Sequence, residues 1–291
     1  MDHARAGVPA LTDSGADLHL HSTASDGAKS PAEVVRQAAD EGLACIALTD
    51  HDSVAGFAAA TDEGERVGVR ILTGCELSVL GPAGELHLLA YAFQPDHGEL
   101  IDFLAAAKAA RVSRAATIVR ALAARGVALT LAEVEREADG APIGRPHVAR
   151  ALIARGAVRT FAEAFDRLLG QGRPAFVPKE LPDLRNATAL VRRAGGVTSA
   201  AHLRHRGTRQ LLSELMEQGV DAVEVVHPSH SPDVRGKLDR LAGDLGLLRS
   251  GGSDWHGAAE LSPSHGTLGA LRVPLAWVDA LCRRAEERGA G

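Results

Sequence analysis

Asp17–Gly27 reads DLHLHSTASDG. Leu18 and Leu20 alternate with His19 and His21, so in a strand both imidazoles share one face. Asp26 follows in a Ser/Thr/Gly-rich turn able to fold back toward them. Two imidazoles and a carboxylate at a strand end form a usable set of metal ligands. A His-x-His pair on a half-buried strand is also an ordinary structural feature, so its weight depends on what other segments bring to the same place.

Working outward, Ser30-Pro31-Ala32-Glu33 opens a helix with a capping box, which runs to about Glu41 and stops at Gly42. The apolar run Ala44–Thr49 ends in Asp50-His51-Asp52. A helix over about Val54–Val67 precedes VRILTGCELSV, read as one strand carrying Glu76, and ELHLLAYAF, a strand with His87 on one face. Alternation of strand and helix predicts an α/β fold with parallel strands. It resumes with helix Asn186–Ala194, strand Gly196–Ala201 ending at His202, helix Arg209–Gln218 and strand Asp221–Val226 ending at His227-Pro228-Ser229-His230. Helix Pro232–Asp244, strand Gly246–Ser250, the segment GGSDWHG, a strand near Gly266–Leu271 and a helix near Ala276–Arg288 complete the chain. About seven strands in two blocks predict a closed or nearly closed β/α barrel.

Between residues 96 and 182 helical segments follow one another, at about Leu100–Arg125, Leu131–Ala138, Pro146–Ala154 and Phe161–Leu169. Thr130 with Glu133 and Thr160 with Glu163 suit capping boxes. The expected organisation is a tail over 1–15, a barrel built from 16–95 and 183–291, and a helical insertion over 96–182.

The 291 residues are 45% hydrophobic and 24% charged with a net charge of -5, so no general basic surface for duplex DNA is expected. Cys45, Cys75 and Cys282 are scattered and odd in number, which speaks against a disulfide framework and for a reducing cytoplasm. No run is apolar enough to span a membrane, and Met1–Gly15 lacks the apolar core of a signal peptide. Aromatic residues are only 3%, which disfavours an extended base-stacking track and favours a pocket for one nucleotide end.

His51, Glu76, His202, His227, Asp254 and His256 all fall at or just past the ends of apolar strands. In a β/α barrel those ends share one face, where active sites are built. Each has an ordinary alternative: Asp50 or Asp52 could cap the next helix, His202 could be a hydrogen-bonded core histidine, and Asp254 could close a turn. Repetition of the pattern at one structural position favours a common site.

DLHLHS, LTDHD, GCELS, Ala201-His202 and GSDWHG resemble, in order and spacing, the motifs of the PHP (polymerase and histidinol phosphatase) metal-dependent phosphoesterases. The opening, the ELHLLAY strand and the inserted GRPHVARAL are similar to one branch. That branch holds 3′,5′-nucleotide bisphosphate phosphatases and a 5′-to-3′ exoribonuclease that trims short RNAs. The resemblance implies a distorted (β/α)7 barrel with a helical insertion and two to three divalent metals (Mn²⁺, Fe²⁺ or Zn²⁺). It suggests His19, His21, Glu76 and Asp254 around one metal. Glu76 would bridge to a second metal with His87 and His202, and Asp26, His51 and His256 would hold a third. Three carboxylates against three divalent ions leave a surplus of about three positive charges, suited to a phosphate dianion. Cys75 should point away from Glu76, into the core.

The implied substrates are nucleoside 3′,5′-bisphosphates or short 5′-phosphorylated RNA, cleaved by in-line attack of a hydroxide bridging two metals. The proton for the leaving oxygen could come from a third-metal water or from His227. Arg145, His147, Lys179 and Arg204 are candidate phosphate contacts, with His230 lining the pocket beside His227. AHLRHR departs from relatives that carry proline after the histidine, which bears on Arg204. His97, His205 and His265 read as exposed or structural. Competing readings are a histidinol-phosphate-type small-molecule phosphatase, disfavoured by the roofing insertion, and a non-catalytic scaffold, disfavoured by the full ligand set.

Overall fold

The computed structural model describes residues 15–257 and 266–289; the expected tail up to residue 14, and His265, lie outside them. Strands β1 (Ala16–Leu20), β2 (Cys45–Leu48) and β3 (Arg70–Leu72) form a parallel sheet in that order. Helices α1 (Pro31–Asp40) and α2 (Phe57–Val67) are the crossovers. The start of α1 follows from its residues. Ser30 Oγ accepts from the Glu33 amide, the Glu33 carboxylate accepts from the Ser30 amide at 2.9 Å, and Pro31 needs no partner in the first turn.

The second sheet holds β4 (Gly74–Gly81), β5 (Gly84–Tyr91), β6 (Val197–Ala200), β7 (Ala222–Val226) and β8 (Leu248–Gly251), hydrogen-bonded in chain order. Isolated bridges join the two sheets at both seams: His51 with Glu76, and Leu20 with Trp255. β3 and β4 are consecutive and fill one position, so the strands make seven positions of a distorted barrel. Tyr91, fully buried, bolts the interior by donating its hydroxyl to the Leu18 carbonyl at 2.8 Å.

Three expectations are corrected. VRILTGCELSV is not one strand: it breaks at Thr73 between β3 and β4, which belong to different sheets. At Gly74 a Cβ would lie 2.4 Å from the Leu48 carbonyl oxygen, so only glycine lets the chain cross there. The strands are not all parallel. β4 and β5 are joined by the two-residue turn Pro82-Ala83, which enforces an antiparallel pair, and β5–β6 is antiparallel as well. Residues Gly266–Leu271 form turns rather than a strand; the edge contact comes from Val273, which bridges Ala16.

Between β5 and α7 (Leu184–Arg193) run α3 (Gly98–Ala123), α4 (Leu131–Ala138), α5 (Arg145–Ala154) and α6 (Phe161–Ala164), the last continuing into a π-helical turn over Phe165–Leu169. They enclose their own apolar cluster, including Ile118, Leu122, Val134, Val148, Leu152 and Leu169. Truncating a fully buried leucine such as Leu152 to alanine should cost about 2–5 kcal/mol. α8 (Arg209–Glu217), α9 (Pro232–Leu245) and α10 (Leu275–Gly289) cover the second sheet, and α9 and α8 contribute Leu238 and Leu212 to its core. Among the described residues no helix is long and apolar enough to cross a membrane.

Candidate metal centre

The carboxyl ends of the parallel strands, with β4 and the first half of the antiparallel β5, deliver the polar residues to one place. β1 carries His19 in its length and His21 just past its end, and both are fully buried. The β2 end supplies His51, β4 supplies Glu76, and β5 supplies His87. The loops after β6, β7 and β8 supply His202, His227, and Asp254 with His256. Asp26 returns from the β1–α1 loop, as its turn-rich sequence suggests. Asp50 braces that loop by accepting from the Ser22 amide (2.8 Å) and the hydroxyls of Ser22 (2.7 Å) and Ser25 (2.6 Å).

Glu76 is the centre of the arrangement. Its Oε2 lies 2.9 Å from His51 Nδ1, 3.3 Å from His21 Nε2 and 3.5 Å from His19 Nε2. Its Oε1 lies 2.8 Å from His87 Nδ1 and 3.1 Å from His202 Nε2. Asp254 Oδ1 is 3.3 Å from His19 Nε2 and 3.2 Å from His21 Nε2. Asp26 stands 3.4 Å from His256 Nε2 and 4.0 Å from His51 Nε2.

The hydrogen bonds at the outer nitrogens set which ring atoms face inward. His19 Nδ1 donates to Glu224 at 2.8 Å and His256 Nδ1 donates to the Asp254 carbonyl at 2.8 Å, so both turn Nε2 to the centre. His227 is the reverse. Its Nδ1 accepts from the Ser229 amide at 3.1 Å, which leaves the proton on Nε2, 3.3 Å from Asp254 Oδ2.

Among the described residues, the buried polar atoms without a hydrogen-bond partner include His19 Nε2, both nitrogens of His21, His51 Nδ1 and Glu76 Oε2. Such orphans are rare in native proteins, and here they converge on one carboxylate. Ligand atoms within 4.8 Å of one another fall into the groups His21/Asp26/His51/His256, His19/His21/Glu76, His19/His227/Asp254 and His51/Glu76/His87. The donor set is imidazole and carboxylate, and it fits divalent cations. Cys75 is no part of it; its sulfur faces the Asp50 carbonyl and the apolar core.

Burial opposes charge on these groups, and their neighbours decide the outcome. Asp26 is held well below the carboxylate range because His51 and His256 outweigh its desolvation. Glu76 is held low by His87 and His51 in the same way, and Asp254 by His19 and His21. Burial disfavours the His21 cation, yet the Asp254 and Glu76 carboxylates beside it lift it to about 10. For His51 burial prevails and pushes it down to about 4, which keeps one ring nitrogen unprotonated and its lone pair available.

The expected substrate contacts divide. Lys179 reaches the centre: its Nζ is 3.5 Å from His87 Nε2, 3.2 Å from Ser78 Oγ and 2.6 Å from Glu85. Arg145 lies with its guanidinium 5.6 Å from the ring centroids of both Phe165 and Phe176. His147 has neither nitrogen free. Nδ1 accepts from the Gly144 amide at 2.9 Å and Nε2 donates to the Ser25 carbonyl at 3.1 Å, so it ties α5 to the Asp26 loop. His230 is likewise spent on backbone, donating to the Val225 carbonyl and accepting from the Arg204 amide. Arg204 sits in a short 3₁₀ turn with Nε on Ser229 Oγ at 3.2 Å, and that hydroxyl lies 2.8 Å from His227 Nδ1.

Several participants are absent from the sequence-based candidates. Glu224, fully buried in β7, meets both His19 and the His202 amide. Asp17 accepts from the Ser253 amide at 2.9 Å and locks β1 to the Asp254 loop, and a Cβ at Gly252 would lie 2.6 Å from that carboxylate. Arg150 donates to the Asp26 carbonyl at 3.2 Å. Arg111 pairs with Asp52. The one signal in sequence is a carboxylate or guanidinium at an otherwise apolar position, as in AVEVV at 222–226.

Comparison with known proteins agrees with this geometry. The model of the PHP domain matches residues 17–242. A 5′-3′ exoribonuclease of Haemophilus influenzae is 36% identical over 245 residues, covering 82% of this chain and 89% of the relative. A 3′,5′-nucleoside bisphosphate phosphatase of Chromobacterium violaceum is 34% identical over 250 residues, covering 84% and 88%. The solved structure of a Bifidobacterium adolescentis protein described as a metal-dependent phosphoesterase superposes with a TM-score of 0.85 at 31% identity, covering 94% of this chain and 96% of that one. The chain belongs to the PHP-domain family.

Proposed function

We propose that this protein hydrolyses phosphate esters of nucleotides that carry two neighbouring phosphates. It would remove the 3′-phosphate of nucleoside 3′,5′-bisphosphates and release 5′ nucleotides from short RNA, with two to three divalent ions of the Mn²⁺, Fe²⁺ or Zn²⁺ type. The observation that carries this reading is the convergence of buried His19, His21 and His51 nitrogens, none in a hydrogen bond, on Glu76 Oε2 at 2.9–3.5 Å, beside two further ionised carboxylates. His19, His21, Glu76 and Asp254 would hold one ion, Glu76 with His87 and His202 a second, and Asp26 with His51 and His256 a third. Bound ions would supply Lewis-acid charge and lower the pKa of water to near neutrality.

The chain's own residues supply the rest. Burial, then Arg145 and Arg111, push Arg114 down to about 10. Lys179 is lowered by burial and then by Arg111. Cations assembled at that electrostatic cost suit an anion, and Lys179 lies beside His87, where a second phosphate of the same nucleotide would fall. As an imidazolium, with Nδ1–H turned to Ser229 Oγ 2.8 Å away, His227 would give its Nε2 proton to a leaving ribose oxygen and return to the neutral ring.

The test compares initial rates with Mn²⁺ on adenosine 3′,5′-bisphosphate, a 5′-phosphorylated trinucleotide and histidinol phosphate. Phosphate from the first, or mononucleotides from the 5′ end of the second, is the expected result. Turnover of histidinol phosphate alone would overturn the proposal, as would inactivity on all three.

A further inference from the structure

We infer that Glu224 is the positioning residue of the centre: one carboxylate that orients the ligands of two ions at once. The inference rests on the metal-binding reading of the site. Glu224 lies in β7, opposite Ser250 of β8, with no exposed surface. Its two oxygens have separate tasks. Oε1 accepts from His19 Nδ1 at 2.8 Å, and Oε2 accepts from the backbone amide of His202 at 2.6 Å.

The first contact sets a tautomer. With its proton on Nδ1, His19 presents the lone pair of Nε2, the atom that faces Glu76 and Asp254 without a hydrogen bond. The second contact sets a backbone. His202 has φ +31°, a left-handed conformation that a non-glycine residue holds only when its surroundings impose it. Anchoring that amide directs the His202 ring at Glu76 Oε1, 3.1 Å away. His19 belongs to the first proposed ion and His202 to the second, so Glu224 couples the two sites through a single side chain.

A buried carboxylate is costly unless its charge and lone pairs are met. A serine or amide could meet one donor; two donors from opposite sides need two acceptor oxygens. Glu224→Gln retains size but replaces one acceptor by an NH₂ donor, so either His19 or the His202 amide faces a donor.

The experiment measures Mn²⁺ binding directly, by equilibrium dialysis with metal analysis, on wild type, Glu224→Gln and Glu224→Asp. Circular dichroism in chelator checks that each variant is folded. Glu224→Gln should weaken the tightest Mn²⁺ binding by roughly 10- to 100-fold. Its phosphatase rate should recover as Mn²⁺ is raised, with KM for adenosine 3′,5′-bisphosphate unchanged, and Glu224→Asp should fall between the two. Glu224→Gln binding Mn²⁺ within twofold of wild type, or losing rate without metal rescue, overturns the inference alone. A wild type that binds no Mn²⁺ overturns both it and the metal-binding reading.

Discussion

Asp52 at the barrel rim and Arg111 in α3 are paired across the seam between barrel and helical segment, with Arg111 Nε donating to Asp52 Oδ2 at 2.8 Å. The other Asp52 oxygen accepts from the Ser78 amide at 3.1 Å, so the carboxylate ties β4, the β2 end and α3 together. Asp52 holds this position at φ +49°, a region that aspartate and asparagine tolerate better than most residues.

Both partners are almost fully buried, so breaking the pair from one side should be expensive. Arg111→Ala should destabilise by about 3–5 kcal/mol, because it strands the Asp52 charge. Asp52→Asn keeps the backbone preference and an acceptor for the Ser78 amide. The double variant should therefore be less destabilised than the sum of the singles, by about 1.5–3 kcal/mol. Urea denaturation of the four proteins measures this, and strict additivity would show the two groups to be uncoupled.

Metal removal should act on the ligand cluster more than on the scaffold. With chelator present, His19 Nε2, His21 Nε2 and Glu76 Oε2 make no hydrogen bond and have only one another and Asp254 at 3.2–3.5 Å, with His51 Nδ1 2.9 Å from the Glu76 oxygen. Saturating metal at about 100 times its dissociation constant should add about 2.7 kcal/mol. Thermal melts should then rise by about 4–5 °C when chelator is replaced by Mn²⁺. Asp26→Ala should keep most of that gain, since His19, His21, Glu76 and Asp254 remain, yet lose at least about 100-fold in turnover. A melt indifferent to Mn²⁺ would count against the metal assignment.

His147 predicts a pH dependence of folding. Burial, followed by Arg150, pushes its pKa from 6.5 down to about 4. The unfolded chain therefore binds a proton between pH 6.5 and 4 that the folded chain refuses, and stability falls as pH drops through that window. The full effect is about 3 kcal/mol, at most about 1.4 kcal/mol per pH unit. His147→Gln should be less stable at pH 7.5 but show a shallower loss toward pH 4, measured by urea midpoints in chelator. Parallel slopes for the two proteins would contradict a neutral, buried His147.

Strand alternation and strand ends make the ligand cluster legible in the sequence. His19, His21, His51, His202, Asp254 and His256 are placed by where apolar runs stop, and that property survives errors in topology. The antiparallel β4–β5 pair is hidden because Gly81-Pro82-Ala83-Gly84 lacks the Asn-Gly or Asp-Gly pair that marks a tight hairpin. His147 and His230 stand out in the sequence as chemically capable side chains. Their partners are backbone atoms of Ser25, Gly144, Val225 and Arg204, which carry no residue-type signal. Glu224 is silent for the opposite reason: it stands 205 residues from His19, and only the closed barrel brings them together.

His227 offers the sharpest chemical test, because its tautomer sets it apart from His19 and His256. Ser229 donates its amide to Nδ1 and so keeps the proton on Nε2, whereas His19 and His256 point lone pairs inward. A proton donor matters in proportion to how poor the leaving group is. His227→Ala should cut turnover of adenosine 3′,5′-bisphosphate by about 10²–10⁴, the range for general acid catalysis. The same variant should hydrolyse 4-nitrophenyl phosphate within a few-fold of wild type, because nitrophenolate departs without a proton. Mn²⁺ affinity should be unchanged. Equal losses on both esters, together with weakened Mn²⁺ binding, would instead make His227 a ligand alongside His19 and Asp254.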